Sequence, residues 1–493
     1  MNLNHRLWIS LFVVAIVLSA CGGPKDAGVS KSEPAAPTVA PAQPPETPEA
    51  ATVPPPSEDA QKGLAAAAAE SPEPLDYQPA VLVPETTELL DEEGAGKLYR
   101  AGELLVCVMK GPHRDMGFQH GRLLAQKIRH ITKEGYLQRA LYSNGYSPEY
   151  SLEQASRMAK HFPQEYIEEI NGIVEGLKAA GVNDVTYEEL LIAACVAELL
   201  HHDPNAPPGC SNFAVFGQWT PDRRLLHARN LDWTIGKGAQ EDAVTLVWQP
   251  QGGDPFMMIT YAGAIGGVSG MNSQQITIGE MTVSSPEESF DGIPLQIIMR
   301  MVLEQAATLE QAVGVIQKGP RTLGWNFVIG DGKIPDVRAL EVDYGTVDVF
   351  TPSDPHETPE MGHEPIPDAI RRTNHPCGEI QQRKLVEAMG SEIGIDGSNW
   401  ESAKPLTKAF LQQQNTFHRY LWLGEQIQAR PHAVDVETAL ALLANGPVAA
   451  GNTLHSFVFD PGNRVAYIAN AAINPPVTAW KTTYTKLDLS AWF

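Results

Sequence analysis

The sequence predicts an α+β fold in which layers of helix cover layers of sheet. Before residue 209 the apolar residues recur at helical spacing; Ile167, Ile170, Val174 and Leu177, for example, fall on one helical face. After residue 210 the pattern changes to short strand-like runs separated by turn residues, and pairs of predicted helices interrupt these runs. Strand runs that alternate with helix pairs are typical of helices packed on sheets.

The predicted strands cover residues 104–109, 212–218, 225–231, 243–249, 256–262, 274–283, 325–329, 337–342, 346–350, 454–459 and 465–469. The first predicted helix ends near residue 131. The other predicted helices cover residues 163–181, 186–200, 294–306, 308–317, 378–389 and 436–444. Thr186 and Glu189 have the spacing of a capping box at the start of one of these helices. Residues 351–369 are rich in Pro and Glu and are predicted to form a surface loop.

The N-terminus predicts export. His5 and Arg6 precede an uncharged run, Leu7–Ala20, which is too short to span a bilayer and suits a signal peptide. The run ends in Leu18-Ser19-Ala20-Cys21, which resembles a bacterial lipoprotein signal. That resemblance implies a lipid on Cys21 and a place in the cell envelope, with the outer membrane favoured because Gly22 is not the Asp of the common retention signal.

Composition divides the chain into four predicted parts. Residues 1–20 form the signal peptide, and residues 21–95 are a disordered tether rich in Pro, Ala and Glu. Residues 96–209 form a mainly helical N-terminal chain, and residues 210–493 form the catalytic chain. The 36 basic and 59 acidic residues give a net charge of −23, which argues against a nucleic-acid partner.

Cysteine usage is sparse for an exported protein. The five cysteines are Cys21, Cys107, Cys195, Cys210 and Cys377. With Cys21 lipidated and Cys210 catalytic, the other three can form at most one disulfide, whose pairing the sequence leaves open.

The Gly209-Cys210 pair lies where the helical segment meets the strand-rich segment, and it suggests a latent N-terminal nucleophile. A thiol reacts as its thiolate, and an α-amino group with a pKa near 8 can serve as the base of its own cysteine. Glycine before the cysteine lets the thiol reach the preceding carbonyl. We therefore expect the chain to cut itself between Gly209 and Cys210.

Polar residues at predicted strand ends complete this hypothesis. Arg229 and Asp232, in Arg229-Asn230-Leu231-Asp232-Trp233, are expected to orient the site and hold the new ammonium group. Asn272 and Asn326 are expected to donate hydrogen bonds to the oxyanion.

Together with Thr373-Asn374-His375 and the turn at residues 111–121, these motifs resemble the autoproteolytic family of acyl-coenzyme A:6-aminopenicillanate acyltransferase, over residues 100 to 485. The chain is more distantly similar to choloylglycine hydrolases and acid ceramidases. The resemblance implies an N-terminal-nucleophile hydrolase with an αββα sandwich, which acts on a small amide through a thioester. It also implies site roles for Cys210, Arg229, Asp232, Asn272 and Asn326, and substrate-binding roles for Asn374, His375 and Arg419.

Two other functions remain open at this point. Cys210 and His375 could form the pair of a cysteine peptidase, or the chain could be a lipid-anchored binding protein without catalysis. His201, His202 and Asp203 lack a second pair of ligands, so we expect no metal, and we expect no cofactor. The expected partners are the small amide, the membrane, and the chain's own N-terminal part after cleavage.

Overall fold

The computed structural model describes residues 75–84, 86–201, 209–233, 235, 239–357, 359–390 and 394–493. The predicted signal peptide, Cys21, His202 and Asp203 lie outside these residues, as does the predicted tether up to residue 74. No helix within the described ranges combines the length and the apolar character that crossing a bilayer requires.

Seventeen strands build two sheets in the described part of the chain. They are β1 (Val81–Leu82), β2 (Glu88–Glu93), β3 (Gly96–Ala101), β4 (Leu104–Gly111), β5 (Ser211–Val215), β6 (Leu226–Asp232), β7 (Ala243–Pro250), β8 (Phe256–Tyr261), β9 (Ser269–Asn272), β10 (Ile276–Thr282), β11 (Trp325–Asp331), β12 (Asp336–Val342), β13 (Val347–Phe350), β14 (Ala369–Arg372), β15 (Thr453–Asp460), β16 (Val465–Asn470) and β17 (Tyr484–Asp488).

One sheet has seven strands, in the order β1-β17-β16-β15-β6-β5-β14, and the other has ten, in the order β13-β12-β11-β10-β9-β8-β7-β4-β3-β2. The pairs β1–β17 and β4–β7 are parallel, and the other neighbours are antiparallel. The parallel pair β4–β7 joins the part of the chain before Gly209 to the part after it, so both parts share the ten-stranded sheet.

The helices are α1 (His113–Leu123), α2 (Ala125–His130), a π-helix (Ile131–Leu141), α3 (Pro148–Ala159), α4 (Gln164–Ala179), α5 (Tyr187–Ala194), α6 (Val196–Leu199), α7 (Leu295–Gln305), α8 (Leu309–Lys318), α9 (Glu379–Met389), α10 (Trp400–Leu411), α11 (Asn415–Gln428) and α12 (Val436–Leu443). The predicted capping box is present, because Thr186 and Glu189 exchange hydrogen bonds at the start of α5.

The two sheets pack face to face. Side chains such as Val106 and Met257 of the ten-stranded sheet meet Phe457 and Phe459 of the seven-stranded sheet in a buried apolar layer. The outer face of the ten-stranded sheet is covered by helices that include α1, α4, α7 and α8, and that of the seven-stranded sheet by α11 and α12. The αββα sandwich and the α+β class are therefore confirmed.

Two predictions about irregular segments are wrong, one for the end of the tether and one for the loop at residues 351–369. The disordered tether was predicted to reach residue 95, but Glu88–Glu93 pair with β3 and Val81–Leu82 pair with β17. Charged residues in β2 are compatible with its position at the edge of the sheet. The segment 351–369 is not simply a surface loop, because Met361, His363 and Ile366 are buried.

Candidate active site

Cys210 lies immediately before β5, which is the second strand from one edge of the seven-stranded sheet, and its side chain is buried. The Sγ atom is 3.8 Å from the backbone oxygen of Asp232 and 3.7 Å from Nη2 of Arg229. Burial raises the pKa of the thiol to about 11, although the charge of Arg229 lowers it. In the uncut chain Cys210 is thus held beside two predicted site residues but is mostly protonated at neutral pH.

Arg229 is placed by β6, whose alternate residues point between the two sheets. Its guanidinium donates to Glu280 Oε1 at 2.6 Å, to Ser269 Oγ at 2.6 Å and to the backbone oxygen of Val268 at 3.0 Å. These contacts fix the guanidinium next to Sγ of Cys210 in a buried position. The prediction that Arg229 orients the site fits this geometry.

Asp232 ends β6 beside the predicted cleavage bond. Its Oδ1 accepts a hydrogen bond from Thr453 Oγ1 at 2.5 Å, and its Oδ2 is buried without a hydrogen-bond partner among the described residues. Burial raises the pKa of this carboxyl to about 7, against the lowering effects of Thr453, Arg419 and Arg229. A carboxyl that titrates near neutrality and keeps one oxygen unused is suited to accept a proton or an ammonium group.

Gly209 packs directly on Asp232. A Cβ added at position 209 would lie 2.9 Å from Cβ and 3.1 Å from Oδ2 of Asp232, closer than side chains normally approach. The glycine is therefore required by this close approach, and the unused carboxylate oxygen faces the bond that we expect to break.

We expect Gly209→Ala to slow the appearance of cleaved chain by at least about tenfold, because the added methyl group displaces either Asp232 or the scissile peptide. The measurement is a pulse-chase of newly made protein on a denaturing gel. Gly314→Ala is the matched control, because a Cβ at that helical position would meet no atom within 4 Å. Equal cleavage rates for the two variants would contradict the geometric role of Gly209.

Arg419 approaches Cys210 from α11, more than two hundred residues away in sequence. Its Nη1 donates to the backbone oxygen of Cys210 and, at 2.9 Å, to Ser211 Oγ; its Nη2 donates to Asn374 Oδ1 at 3.0 Å. Asn374 in turn donates through Nδ2 to the backbone oxygen of Thr282. The structure thus brings two of the predicted substrate-binding residues, Arg419 and Asn374, to the cysteine.

The predicted oxyanion donors do not fit that role. Nδ2 of Asn272 donates to the backbone oxygens of Leu303 and Ala306, at the end of α7. Nδ2 of Asn326 donates to the backbone oxygens of Thr373 and His375. Both amide groups already use their two N–H bonds on the protein itself, so assigning Asn272 and Asn326 to the oxyanion was wrong.

His375 does not act on Cys210 either. Its Nδ1 lies 3.1 Å from Thr373 Oγ1 and 3.0 Å from Thr416 Oγ1, and its Nε2 lies 3.1 Å from His363 Nε2. Burial, with a smaller contribution from neighbouring arginines, lowers the pKa of this imidazole to about 3. The peptidase hypothesis therefore lacks its base, and the substrate-binding role predicted for His375 is wrong because both ring nitrogens face protein groups.

Glu280 was not predicted as a site residue, and it lies on β10 with its side chain buried beside Arg229. One carboxylate oxygen binds Arg229, and the other is buried without a hydrogen-bond partner among the described residues. Burial raises the pKa of Glu280, and Arg229 opposes that shift. An acidic residue inside the apolar run Ile276–Thr282 is the signal that could have found it.

An apolar cavity of about 130 Å³ opens beside Cys210 and Glu280. Its walls come from both sides of the Gly209–Cys210 bond, with Tyr136, Ala140, Val196, Ala197 and Leu200 before it and Leu231, Trp233, Tyr261, Val268, Leu295, Trp325 and Leu454 after it. Tyr136 and Ala140 belong to the π-helix, a rare element that is frequent at functional sites. The part of the chain before Gly209 therefore forms one wall of the site.

A buried cysteine that follows glycine and directly precedes β5, in a sandwich of two sheets covered by helices, is the arrangement that the resemblance to N-terminal-nucleophile hydrolases predicted. Residues 219–389 match the family model described as acyl-coenzyme A:6-aminopenicillanic acid acyl-transferase, so the resemblance to that family is confirmed. The matched segment contains Arg229, Asp232, Glu280 and Asn374, whereas Cys210 precedes it.

Three relatives give further comparisons. An uncharacterized protein of Archaeoglobus fulgidus is 27% identical over 248 residues, which cover 46% of this chain and 41% of the relative. Protein dcd1A of Dictyostelium discoideum is 23% identical over 366 residues, which cover 64% of this chain and 77% of the relative. Protein dcd1B of the same organism is 22% identical over 344 residues, which cover 60% of this chain and 66% of the relative.

Among solved structures, the N-acylethanolamine-hydrolyzing acid amidase ortholog of Caenorhabditis elegans is 14% identical, with a TM-score of 0.36 over 51% of this chain and 93% of the other. Penicillin V acylase from Agrobacterium tumefaciens is also 14% identical, with a TM-score of 0.32 over 57% of this chain and 92% of the other. At these scores the likeness carries no argument about activity.

Proposed function

We propose that the protein is a self-processing cysteine amidohydrolase that cleaves a small amide carrying an apolar acyl group. The observation that carries the proposal is the pair of half-buried Gly209 and buried Cys210, with Arg229, Asp232 and Arg419 around it and an apolar cavity beside it. Each of these groups has a task in breaking an amide bond through a thiol.

Maturation is the first reaction. The thiol of Cys210 attacks the carbonyl carbon of Gly209, the C–N bond breaks, and the thiol proton passes to the nitrogen that becomes the α-amino group. Water then hydrolyses the thioester, which releases the carboxylate of Gly209 and the thiol of Cys210. The unused Oδ2 of Asp232 faces this bond and is suited to receive the new ammonium group.

Catalysis repeats the chemistry on a substrate. The freed amino group takes the thiol proton, the thiolate attacks the acyl carbon, and the amine leaves with a proton from the same amino group. Water then attacks the thioester and releases the acid. Hydrolysis is favoured over acyl transfer because an envelope protein has little access to coenzyme A.

The two chains are expected to stay together after the cut. Glu169 of α4 and Arg300 of α7 form a fully buried ion pair of 2.6 Å across the boundary. Arg300 also binds Glu304, whose carboxylate accepts a hydrogen bond from Tyr166. Separating the chains would expose these charges and the apolar wall of the cavity, so an α/β heterodimer is the expected product.

Two measurements test the proposal. N-terminal sequencing of the purified protein should find a chain that starts at Cys210. A panel of anilides with acyl groups from acetyl to long alkyl and aryl-alkyl should show turnover that rises as the acyl group becomes more apolar. An intact chain without turnover on any acyl group would favour the alternative that the protein binds a ligand without catalysis.

Asp232 gives a pH-dependent prediction. Its carboxyl is protonated in the folded chain up to about pH 7, whereas an unfolded Asp ionises near pH 4. The uncut chain should therefore lose stability as the pH rises from about 4 to about 7, by on the order of 4 kcal/mol at most, and should then level off. Asp232→Asn cannot ionise, so in a Cys210→Ala background it should lack most of this decline.

Urea unfolding at about pH 5 and about pH 8 measures this difference. Asp184→Asn is a suitable control, because Asp184 is exposed and its pKa is lowered by its hydrogen bond to Arg129. A decline of the same size in the Asp232→Asn chain would show that other groups cause it.

We also propose that a lipid on Cys21 attaches the protein to the bacterial envelope, with residues 22–74 as the tether. Cells that express the protein should incorporate labelled fatty acid into it, and Cys21→Ser should abolish that incorporation. Label that persists in Cys21→Ser would refute the anchor.

A further inference from the structure

A second cluster of reactive side chains lies beside the active site, with His363 before β14 and with His375 and Cys377 in the turn that follows β14. His363, His375 and Cys377 are buried, and one ligand atom from each lies within 4.8 Å of the other two. The closest pair is Nε2 of His363 and Nε2 of His375, at 3.1 Å. We propose that this cluster binds one Zn²⁺ ion, which holds the turn in place.

The donor set suits zinc. Two imidazoles and a thiolate are ligands that zinc prefers, at about 2.0–2.1 Å for nitrogen and 2.3 Å for sulfur. Two nitrogens at that distance and at tetrahedral angles lie roughly 3.3 Å apart, close to the observed 3.1 Å. The two imidazoles are thus already close to the spacing that one ion requires, the thiol lies within 4.8 Å of a nitrogen of each, and one coordination position remains for a water molecule.

The outer contacts of the histidines also matter for binding. Nδ1 of His375 lies within hydrogen-bond distance of Thr373 Oγ1 and Thr416 Oγ1, so it can keep its proton there while Nε2 binds the metal. Nδ1 of His363 lies 3.4 Å from Nε2 of Gln382. Binding requires that amide to rotate, to present its oxygen to the ring proton and to give up its hydrogen bond to the backbone oxygen of Pro376.

An arginine near the cluster is paired with carboxylates. Arg372 binds Glu341 and Glu357, at 3.0 Å and 2.8 Å. A bound ion would supply the positive charge that a buried thiolate of Cys377 needs.

The backbone of the turn is already fixed on its far side. The N–H groups of Cys377 and Gly378 donate to the two carboxylate oxygens of Glu341, at 2.8 Å and 3.0 Å. Asn326 holds the other end through the backbone oxygens of Thr373 and His375. Asn326 therefore holds the backbone of the turn. Because the turn is fixed at both ends, the side chains that would bind the metal are already in place.

The turn leads directly to the active site. Asn374 lies between Thr373 and His375, and its Oδ1 accepts the hydrogen bond of Arg419, which also binds the backbone oxygen of Cys210. A zinc ion on His375 and Cys377 would therefore hold Asn374 and Arg419 against the cysteine without touching the substrate. No metal was expected from the sequence, because His201, His202 and Asp203 were the candidate ligands considered and they lack a second pair.

The test uses the full chain with Cys210→Ala, so that its result does not depend on cleavage or turnover. Protein made with zinc in the medium should carry about one equivalent of zinc by elemental analysis. Cys377→Ser and His363→Ala should each lower this content at least about fivefold, whereas Cys107→Ser, which removes a buried thiol far from these histidines in sequence, should keep it. Cobalt in place of zinc should give a thiolate-to-metal charge-transfer band, which Cys377→Ser should abolish and Cys107→Ser should keep.

A folded Cys210→Ala chain that carries no zinc and shows no cobalt–thiolate band would overturn the proposal. So would metal that persists in both Cys377→Ser and His363→Ala. The cobalt spectrum of the chain with Cys377 intact decides the question even where the ligand variants fail to fold.

Discussion

Cys210→Ala should leave the chain uncut and lower turnover by about 10⁴-fold or more, because one thiol serves both reactions. The residue is buried against Arg229 and the backbone of Asp232, with Arg419 on its carbonyl oxygen, so its small replacement should fold. A denaturing gel and N-terminal sequencing measure cleavage, and release of acid from the best acyl anilide measures turnover.

Two matched variants separate the nucleophile from a general loss of thiols. Cys107→Ala and Cys195→Ala each remove another buried thiol and should keep both cleavage and turnover, apart from a modest loss of stability. Mapping of an acyl probe should place the label on Cys210 alone. Turnover that survives in Cys210→Ala, or label on another cysteine, would refute the mechanism.

Arg229→Met should destabilise the uncut chain by about 3–5 kcal/mol, measured by urea unfolding in a Cys210→Ala background. The change leaves Glu280 buried without its cation, and it removes the donor to Ser269 and Val268. Adding Glu280→Gln should restore part of the loss, because the uncompensated charge is then gone. With Cys210 present, Arg229→Met should also slow cleavage, since the guanidinium next to Sγ stabilises a thiolate.

An exposed ion pair supplies the control. Arg157 pairs with Asp291 at 2.7 Å near the surface, and Arg157→Met should cost less than about 1 kcal/mol. If Arg229→Met costs no more than Arg157→Met, the buried pair contributes nothing beyond a surface contact and its proposed role fails.

The local sequence predicted the two strands next to Cys210 correctly. The alternating pattern predicted strands at residues 212–218 and 225–231, and the structure has β5 at Ser211–Val215 and β6 at Leu226–Asp232. Because these two strands are neighbours, Cys210, Arg229 and Asp232 come together through one antiparallel pairing. A short turn and a period of two residues were enough to predict that part of the site.

The hydrogen-bond partners of Asn272 and Asn326 could not be predicted from local sequence. Asn272 and Asn326 lie at strand ends as predicted, but what their amide groups bind depends on neighbours distant in sequence, the end of α7 and the turn after β14. Successive side chains of a strand point to opposite faces, so a change of one residue in register reverses the face that a side chain meets. No local pattern contains that information.

The sequence by itself determined the fold class, the Gly209–Cys210 pair and the strands that carry Arg229 and Asp232, because these depend on residue spacing and on neighbouring strands. Only the tertiary structure decided that Arg419, Asn374 and Glu280 complete the surroundings of Cys210, that Asn272 and Asn326 brace the backbone, and that His375 belongs to a separate cluster. Those choices depend on contacts between residues tens to hundreds of positions apart, which form when the two sheets and their helices pack together.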